Sequence, residues 1–430
     1  MWPGLPPALT FASVRILLTV RLILTGVHDV SEVNDPLLQW AQQEGARLSP
    51  AFDGGTEDLG PLRLLDEDIS RADLVFLGEL DHFIHEKSDA RLLFCRYLID
   101  RGWRSFAEEL SWSDGLRVQH FLRDQGDLDR LALFGWSGDL RKDRDDRPTG
   151  IFRPSFDLYP TDLMAAEQAR FYSGLKAAAG EVPVAYHGFD IDAAPGGGYA
   201  DILREMSTDA GLFHRALSRV PGETLGEEAG RLAALVPSAP SLEIAASLRA
   251  TAESLRYVEM TYSAETYEAT APGIAYREGC MKRRFDDIRS LTGNAPMVLM
   301  GHGLHLAKDD LLGRELAGVG PGGGIECSLG HHLVQDRHFK AVSIWFVHGA
   351  GEDSQPFPGL PRRFDYPANT LNRRLAPLGA PTLIPITGAP SGLFDRPLGV
   401  GGMYNSVQQA TLQGQVDAIL YLPRVTPMRL

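Results

Sequence analysis

The chain has 430 residues, 44% hydrophobic and 23% charged, enough to bury a large core in one big unit or two domains. Its formal net charge of -14 comes without a strongly basic run, which argues against a nucleic-acid partner and fits a neutral or cationic substrate. Three scattered cysteines, Cys95, Cys280 and Cys327, make neither a disulfide framework nor a CxxC pair, so a reducing, cytoplasmic setting is expected.

Residues 9–27 are apolar enough to resemble a signal or membrane segment, but Arg15 and Arg21 interrupt them and no small-residue cleavage site follows. Residues 1–34 are therefore predicted to be an extension or a misassigned start, with an export signal as the alternative. No stable membrane insertion is expected, and the folded domain is placed at 35–430. Short apolar runs at 74–77, 105–107, 182–186, 297–300, 341–347 and 418–422 have the length of buried parallel strands. Between them, apolar residues recur at three and four over 88–101, 161–179, 242–262 and 279–291, which predicts helices. This alternation predicts an α/β fold, a central and mostly parallel sheet flanked by helices. Residues 112–160, which include the mixed-charge run 141–147, read as a solvated loop or helix face, and about 201–289 reads as a helical insertion or cap shaping a pocket. The Pro-Gly-Gly-Gly turns at 195–198 and 321–324 read as flexible loops, since neither carries the Lys-Ser/Thr or GxGxxG of a phosphate cradle.

In an open α/β sheet the ligand crevice lies beyond the carboxyl ends of the strands. There the sequence places Glu79 and His82, then Glu108 and Glu109, then Asp190, then His302. A lone carboxylate after a strand is usually a cap, and a lone His82 reads equally well as a structural residue at a helix start. Histidine is also the natural base near neutral pH, and a carboxylate beside it, Glu79 or Glu109, would fix its tautomer and stabilise its protonated form. His85 reads as structural. No HExxH occurs, His302 and His305 lack helical i, i+4 ligand spacing, and the pair His331-His332 is no better, so neither metal nor cofactor is expected. No G-x-S-x-G elbow is present; Gly135-Trp-Ser-Gly138 lacks a spacer residue. Cys95 and Cys280 fall inside helical patterns as inert thiols.

The run Gly78-Glu-Leu-Asp-His82 with Glu86 and Arg91 resembles the GE-xx-H-xxx-E-xxxx-R signature of the erythromycin esterase family. Gly102-Trp-Arg-Ser-Phe-Ala-Glu-Glu109, Gly188-Phe-Asp190, Arg277-Glu-x-x-Met281 and Met300-Gly-His-Gly-Leu-His305 are similar to further family motifs. So are Ser328-Leu-Gly330 with Leu333, Gly401-Gly-Met-Tyr404 and Asp417-Ala-Ile419, and together they span residue 37 to the C-terminus. The resemblance implies metal-free ester or lactone hydrolysis, with macrolides the substrates of the resistance members. His82 would activate water, Glu79 and Glu109 would orient and balance it, and Arg91 and His302 would stabilise the oxyanion or bind substrate. Glu86, Asp190, Arg277 and His305 would line the substrate site. Arg91 has a second reading, as neutraliser of buried carboxylates.

Four positions depart from the family pattern: Asp81 and Phe83 flank His82 where Thr/Ser-His-Gly is usual, Gly303 replaces Asn, and Glu278 replaces Asp. The expected function is therefore hydrolysis of an ester or lactone of a bulky natural product, a small molecule or peptide. The alternatives are a tailoring enzyme for acyl transfer, cyclisation or dehydration at the same site, and a haem- or ligand-binding protein, since GE-xx-H is distantly similar to a haem-uptake family.

Overall fold

A computed structural model describes residues 35–128, 161–191, 220, 222–266, 268–309, 327–355 and 361–430. The extension 1–34, the charged run 141–147, residues 135–138, both Pro-Gly-Gly-Gly turns and residues 201–219 lie outside the described residues. The strands in chain order are β1 (Ala46–Arg47), β2 (Leu74–Glu79), β3 (Ser105–Ser111), β4 (Ala185–Asp190), β5 (Met297–His302) and β6 (Ala341–Glu352). They continue with β7 (Arg363–Phe364), β8 (Thr382–Pro385), β9 (Leu398–Gly401), β10 (Val407–Ala410) and β11 (Ala418–Val425). Every apolar run read as a strand forms one. The run at 182–186 starts late, at Ala185: the Val182 amide closes a turn on the Ala179 carbonyl, and Pro183 has no N–H for the ladder.

The longer helices are α1 (Pro36–Glu44), α2 (His85–Asp100), α3 (Trp112–Leu122), α4 (Thr161–Ala179), α5 (Leu225–Leu235), α6 (Leu242–Thr261) and α7 (Ala271–Leu291). Helix α7 begins a full two turns earlier than its apolar periodicity indicates, because Pro272 is harmless in a first helical turn. Helix α3 corrects the reading of 112–160 as solvated from its start. Ser111 caps it by accepting from the Asp114 amide at 3.1 Å, and Trp112, Leu116 and Val118 are buried. Gly115 permits its approach to the sheet, since a Cβ there would stand 2.0 Å from the Gly188 nitrogen.

The sheet order is β1-β8-β11-β6-β2-β5-β3-β4, with β7 paired to the end of β6 and β9–β10 forming a separate pair. Strands β4, β3, β5, β2, β6 and β11 run parallel, and at one edge β8 is antiparallel to β11 and β1 antiparallel to β8. All residues of β2 and β5 are buried, the pattern of a sheet covered on both faces. Val75 and Leu77 point into one core with α2 and α4, while Leu74 and Phe76 point into the opposite core with α3, α5, α6 and α7. The described helices of the 201–289 stretch thus lie on a sheet face.

Chain order decides where the ligand end lies. Strand β2 feeds toward β3, while its neighbour β5 feeds the other way to β6, so the switch point falls between β2 and β5, where Glu79 pairs in register with His302. Among the described residues no helix is long and apolar enough to cross a membrane.

Candidate active site

Leaving β2, the chain turns through 80–84 into α2, and only Leu80 and Asp81 separate Glu79 from His82. That short span lets the His82 Nδ1 hydrogen-bond Glu79 Oε1 at 2.6 Å. The carboxylate is 2% exposed and the imidazole 23%. Burial pushes the Glu79 carboxyl up, but Arg91, Lys87 and His82 outweigh it and hold it at about 2, so Glu79 is ionised. An ionised partner makes Nδ1 the protonated nitrogen, which leaves the basic lone pair on Nε2 and stabilises the imidazolium once a proton arrives there. Lys87, not singled out in the sequence, donates to the His82 carbonyl at 2.6 Å and lies 3.8 Å from Glu79.

The His302 ring lies 5.1 Å from that of His82, centroid to centroid. Its Nδ1 accepts from the Leu304 amide at 3.2 Å, so a neutral His302 carries its proton on Nε2. Burial, joined by His82, pushes His302 down to about 3. It is thus a neutral N–H donor rather than a base.

Adjacent glutamates on a strand face opposite ways, which separates Glu108 from Glu109. Glu109 accepts from the His302 amide at 2.6 Å and from Arg277 Nη2 at 2.9 Å, and its Oε1 lies 3.3 Å from His305 Nε2. Burial opposes ionisation, yet His305, His82 and Arg277 keep Glu109 well below the usual carboxylate range. Gly301 leaves room for this carboxylate, because a Cβ there would stand 2.9 Å from the Glu109 Cβ. His305 is held by Glu278 at Nδ1 and Glu109 at Nε2; burial works against its charge, but the two carboxylates push it up to about 10. His305 is therefore an imidazolium at neutral pH.

Glu108 goes to the opposite face, where it pairs with Arg91 and accepts from the hydroxyls of Tyr172 and Tyr186. Arg91 is 5% exposed and bridges Glu108 to Glu79 Oε2, the latter at 2.9 Å. Of its two readings, this geometry matches the neutraliser of buried carboxylates. Asp190 accepts from Arg277 Nε at 2.8 Å and from the Ile191 amide, which occupies it with the arginine that holds Glu109. Glu86 sits apart from His82: its carboxylate accepts from the Thr426 amide at 2.7 Å and hydroxyl at 2.8 Å, anchoring the C-terminal segment. His85, buried between Glu167 and Asp89, helps anchor the same segment, because Glu167 also accepts from the Arg429 amide. The structure thus brings together Glu79, His82, Arg91, Glu109, Asp190, Arg277, His302 and His305, and leaves Glu86 outside. Sequence reasoning passed over Lys87, Tyr172 and Tyr186, and it gave no role to Glu108, which it had placed beside Glu109 at a strand end, or to Glu278. Of these, Glu108 carried a signal in its strand-end position and Glu278 in its place beside Arg277 in a motif. Cys95 and Cys280 are buried in helices, and burial pushes both thiols up, Cys280 to about 12.

No family model and no curated protein matches the chain. Solved structures do, and one is an erythromycin esterase, crystallised as a variant in its open conformation, with a TM-score of 0.56 at 16% identity over 90% of this chain and 99% of that one. The chain shares its fold with an erythromycin esterase. A Bacillus cereus protein superimposes with a TM-score of 0.63 at 16% identity, over 92% of this chain and 99% of its own. A succinoglycan biosynthesis protein gives 0.60 at 15%, over 91% and 97%. At such identities the likeness is one of fold.

Proposed function

We propose that this chain is a hydrolase that cleaves a carboxylic ester or lactone of a bulky natural product with water activated by His82. The observation that carries the reading is the pairing of His82 Nδ1 with an ionised Glu79 beside the neutral ring of His302. In this scheme His82 Nε2 takes a proton from water as the water oxygen attacks the ester carbonyl. The oxyanion that forms accepts a hydrogen bond from His302 Nε2. Collapse of the tetrahedral adduct releases the alcohol, which leaves with the proton held by His82. Glu109, saturated by Arg277, His305 and the His302 amide, serves as a fixed negative charge that orients the His302 segment. A second reading keeps the same His82 and His302 geometry for acyl transfer, in which a substrate hydroxyl replaces water.

The test is mass spectrometry of purified protein with macrolides and activated esters, with and without chelator, alongside His82→Gln. Hydrolysis predicts a product one water heavier, unaffected by chelator and slowed about 10²–10⁴-fold in the variant. Wild-type turnover in His82→Gln would remove the mechanism, and a product joined to an added alcohol, with no hydrolysis, would favour transfer.

A further inference from the structure

Among the described residues, one group of side chains outside the candidate active site has the donor set of a metal centre. The thiol of Cys327, an imidazole nitrogen of His331 and a carboxylate oxygen of Asp336 all lie within 4.8 Å of one another. None of the three belongs to the group of side chains gathered around His82. The local backbone explains the convergence. Ser328 caps a helical turn, Leu329–His331, by accepting from the His331 amide at 3.0 Å, and the chain then passes into a π turn, His332–Asp336. The Arg337 amide donates to the His332 carbonyl at 3.0 Å, five residues back. In an α-helix, residues five apart point well away from each other, whereas a π turn brings them back nearly into line, which sets Asp336 beside His331. Reading the adjacent pair His331-His332 for ligand spacing misses this, since the second histidine is not a member of the triad. His332 Nδ1 instead hydrogen-bonds Asp336 Oδ2 at 2.9 Å and orients the carboxylate from outside, as partners of metal-bound groups do.

We propose that Cys327, His331 and Asp336 form a binding site for a divalent transition ion of the zinc class. Thiolate, imidazole and carboxylate together select a borderline-soft ion over magnesium or calcium, and the two anionic donors neutralise its charge. Tetrahedral zinc with bonds of roughly 2.0–2.3 Å needs donor separations of roughly 3.3–3.8 Å. The triad therefore closes by about an ångström, within reach of side-chain rotation at residues that are half-buried or exposed. Three protein donors leave the fourth position to water. Binding converts the Cys327 thiol to a metal thiolate and releases its proton to solvent, so affinity falls as pH is lowered. Of the three cysteines, Cys327 alone is not buried. The other two thiols sit inside helices in the cores and do not compete for the ion.

The experiment uses the full chain, reduced and stripped of metal, titrated with Co²⁺ as a spectroscopic probe and then with Zn²⁺. A thiolate-to-cobalt charge-transfer band should rise in the near ultraviolet, saturate at one ion per chain and disappear as zinc displaces cobalt. The band should be absent in Cys327→Ser, and affinity should fall at least about tenfold in His331→Gln and in Asp336→Asn. Circular dichroism of the metal-free variants should match wild type, because the triad sits at the surface. Zinc should also protect Cys327 from alkylation. Failure of the band to appear, its survival in Cys327→Ser, or alkylation of Cys327 at an unchanged rate in saturating zinc would each overturn the assignment. Since no ligand is shared with His82, the outcome is independent of whether the chain is a hydrolase.

Discussion

Replacing Arg91 with methionine removes the countercharge of two buried carboxylates while keeping most of the side-chain volume. At 2.9 Å and an effective dielectric constant of about 20, the Arg91–Glu79 pair alone has a Coulomb energy of about 6 kcal/mol before desolvation is counted. Breaking a buried pair by removing one partner typically costs about 3–5 kcal/mol, because the partner left behind is charged and dry. With Glu79 and Glu108 both stranded, the loss should reach the upper part of that range. The sign of its pH dependence follows from Glu79. In the native protein its carboxyl is held at about 2, below its unfolded value near 4, so its contribution is present above about pH 4 and fades as pH falls through about 2. Without Arg91 the cost of burying the charge prevails, the folded value rises above the unfolded one, and stability is instead lost as pH rises past about 4. The gap between wild type and Arg91→Met should therefore widen from about pH 5 to about pH 8. Urea unfolding followed by tryptophan fluorescence measures it: with a slope of about 3 kcal/mol/M the midpoint drops by roughly 1 M or more at pH 8. Adding Glu108→Gln should recover part of the loss. A cost under about 1 kcal/mol, or one flat across this pH range, would refute the role assigned to Arg91.

Two further outcomes follow from other buried groups. His305 is pushed up to about 10, so it contributes stability that is complete below about pH 6.5 and lost as pH rises through about 10. His305→Asn should be destabilised at pH 7 and approach wild type near pH 10; parallel pH profiles of the two proteins would refute this. Asp81, beside His82, and Asp353 are both raised by burial, Asp353 to about 6 and Asp81 further by the charge of Asp353, an arrangement in which the pair holds a proton. Wild-type stability should fall as pH rises through about 6, and in Asp353→Asn that fall should be reduced, as thermal melts at pH 5 and pH 8 would show. An unchanged fall would separate the two aspartates.

Much of this architecture was legible in the sequence, because its signals are local. The six apolar runs read as strands form strands. They could be read because a strand buried on both faces needs an unbroken apolar run. The helices between them keep the spacing that one apolar stripe requires. The Glu79–His82 contact spans three residues, so backbone geometry within one turn sets it, and the motif carries it intact. Helix α3 escaped because its polar composition hides the few residues, Trp112, Leu116 and Val118, that hold it to the sheet.

Tertiary structure alone decided the long-range pairings, since these depend on strand order rather than on spacing. Two neighbouring glutamates looked equivalent until strand alternation sent Glu109 to His302, His305 and Arg277, and Glu108 to Arg91 and two tyrosines. Arg277, read as a substrate contact, proved to join Asp190 to Glu109 across sequence separations of 87 and 168 residues. Glu86, inside the same signature as His82, turned to Thr426, 340 residues away. Chain neighbours share a backbone and so a predictable direction, whereas charges buried far apart in sequence find partners only after the sheet has set which strands, and which of their faces, lie together.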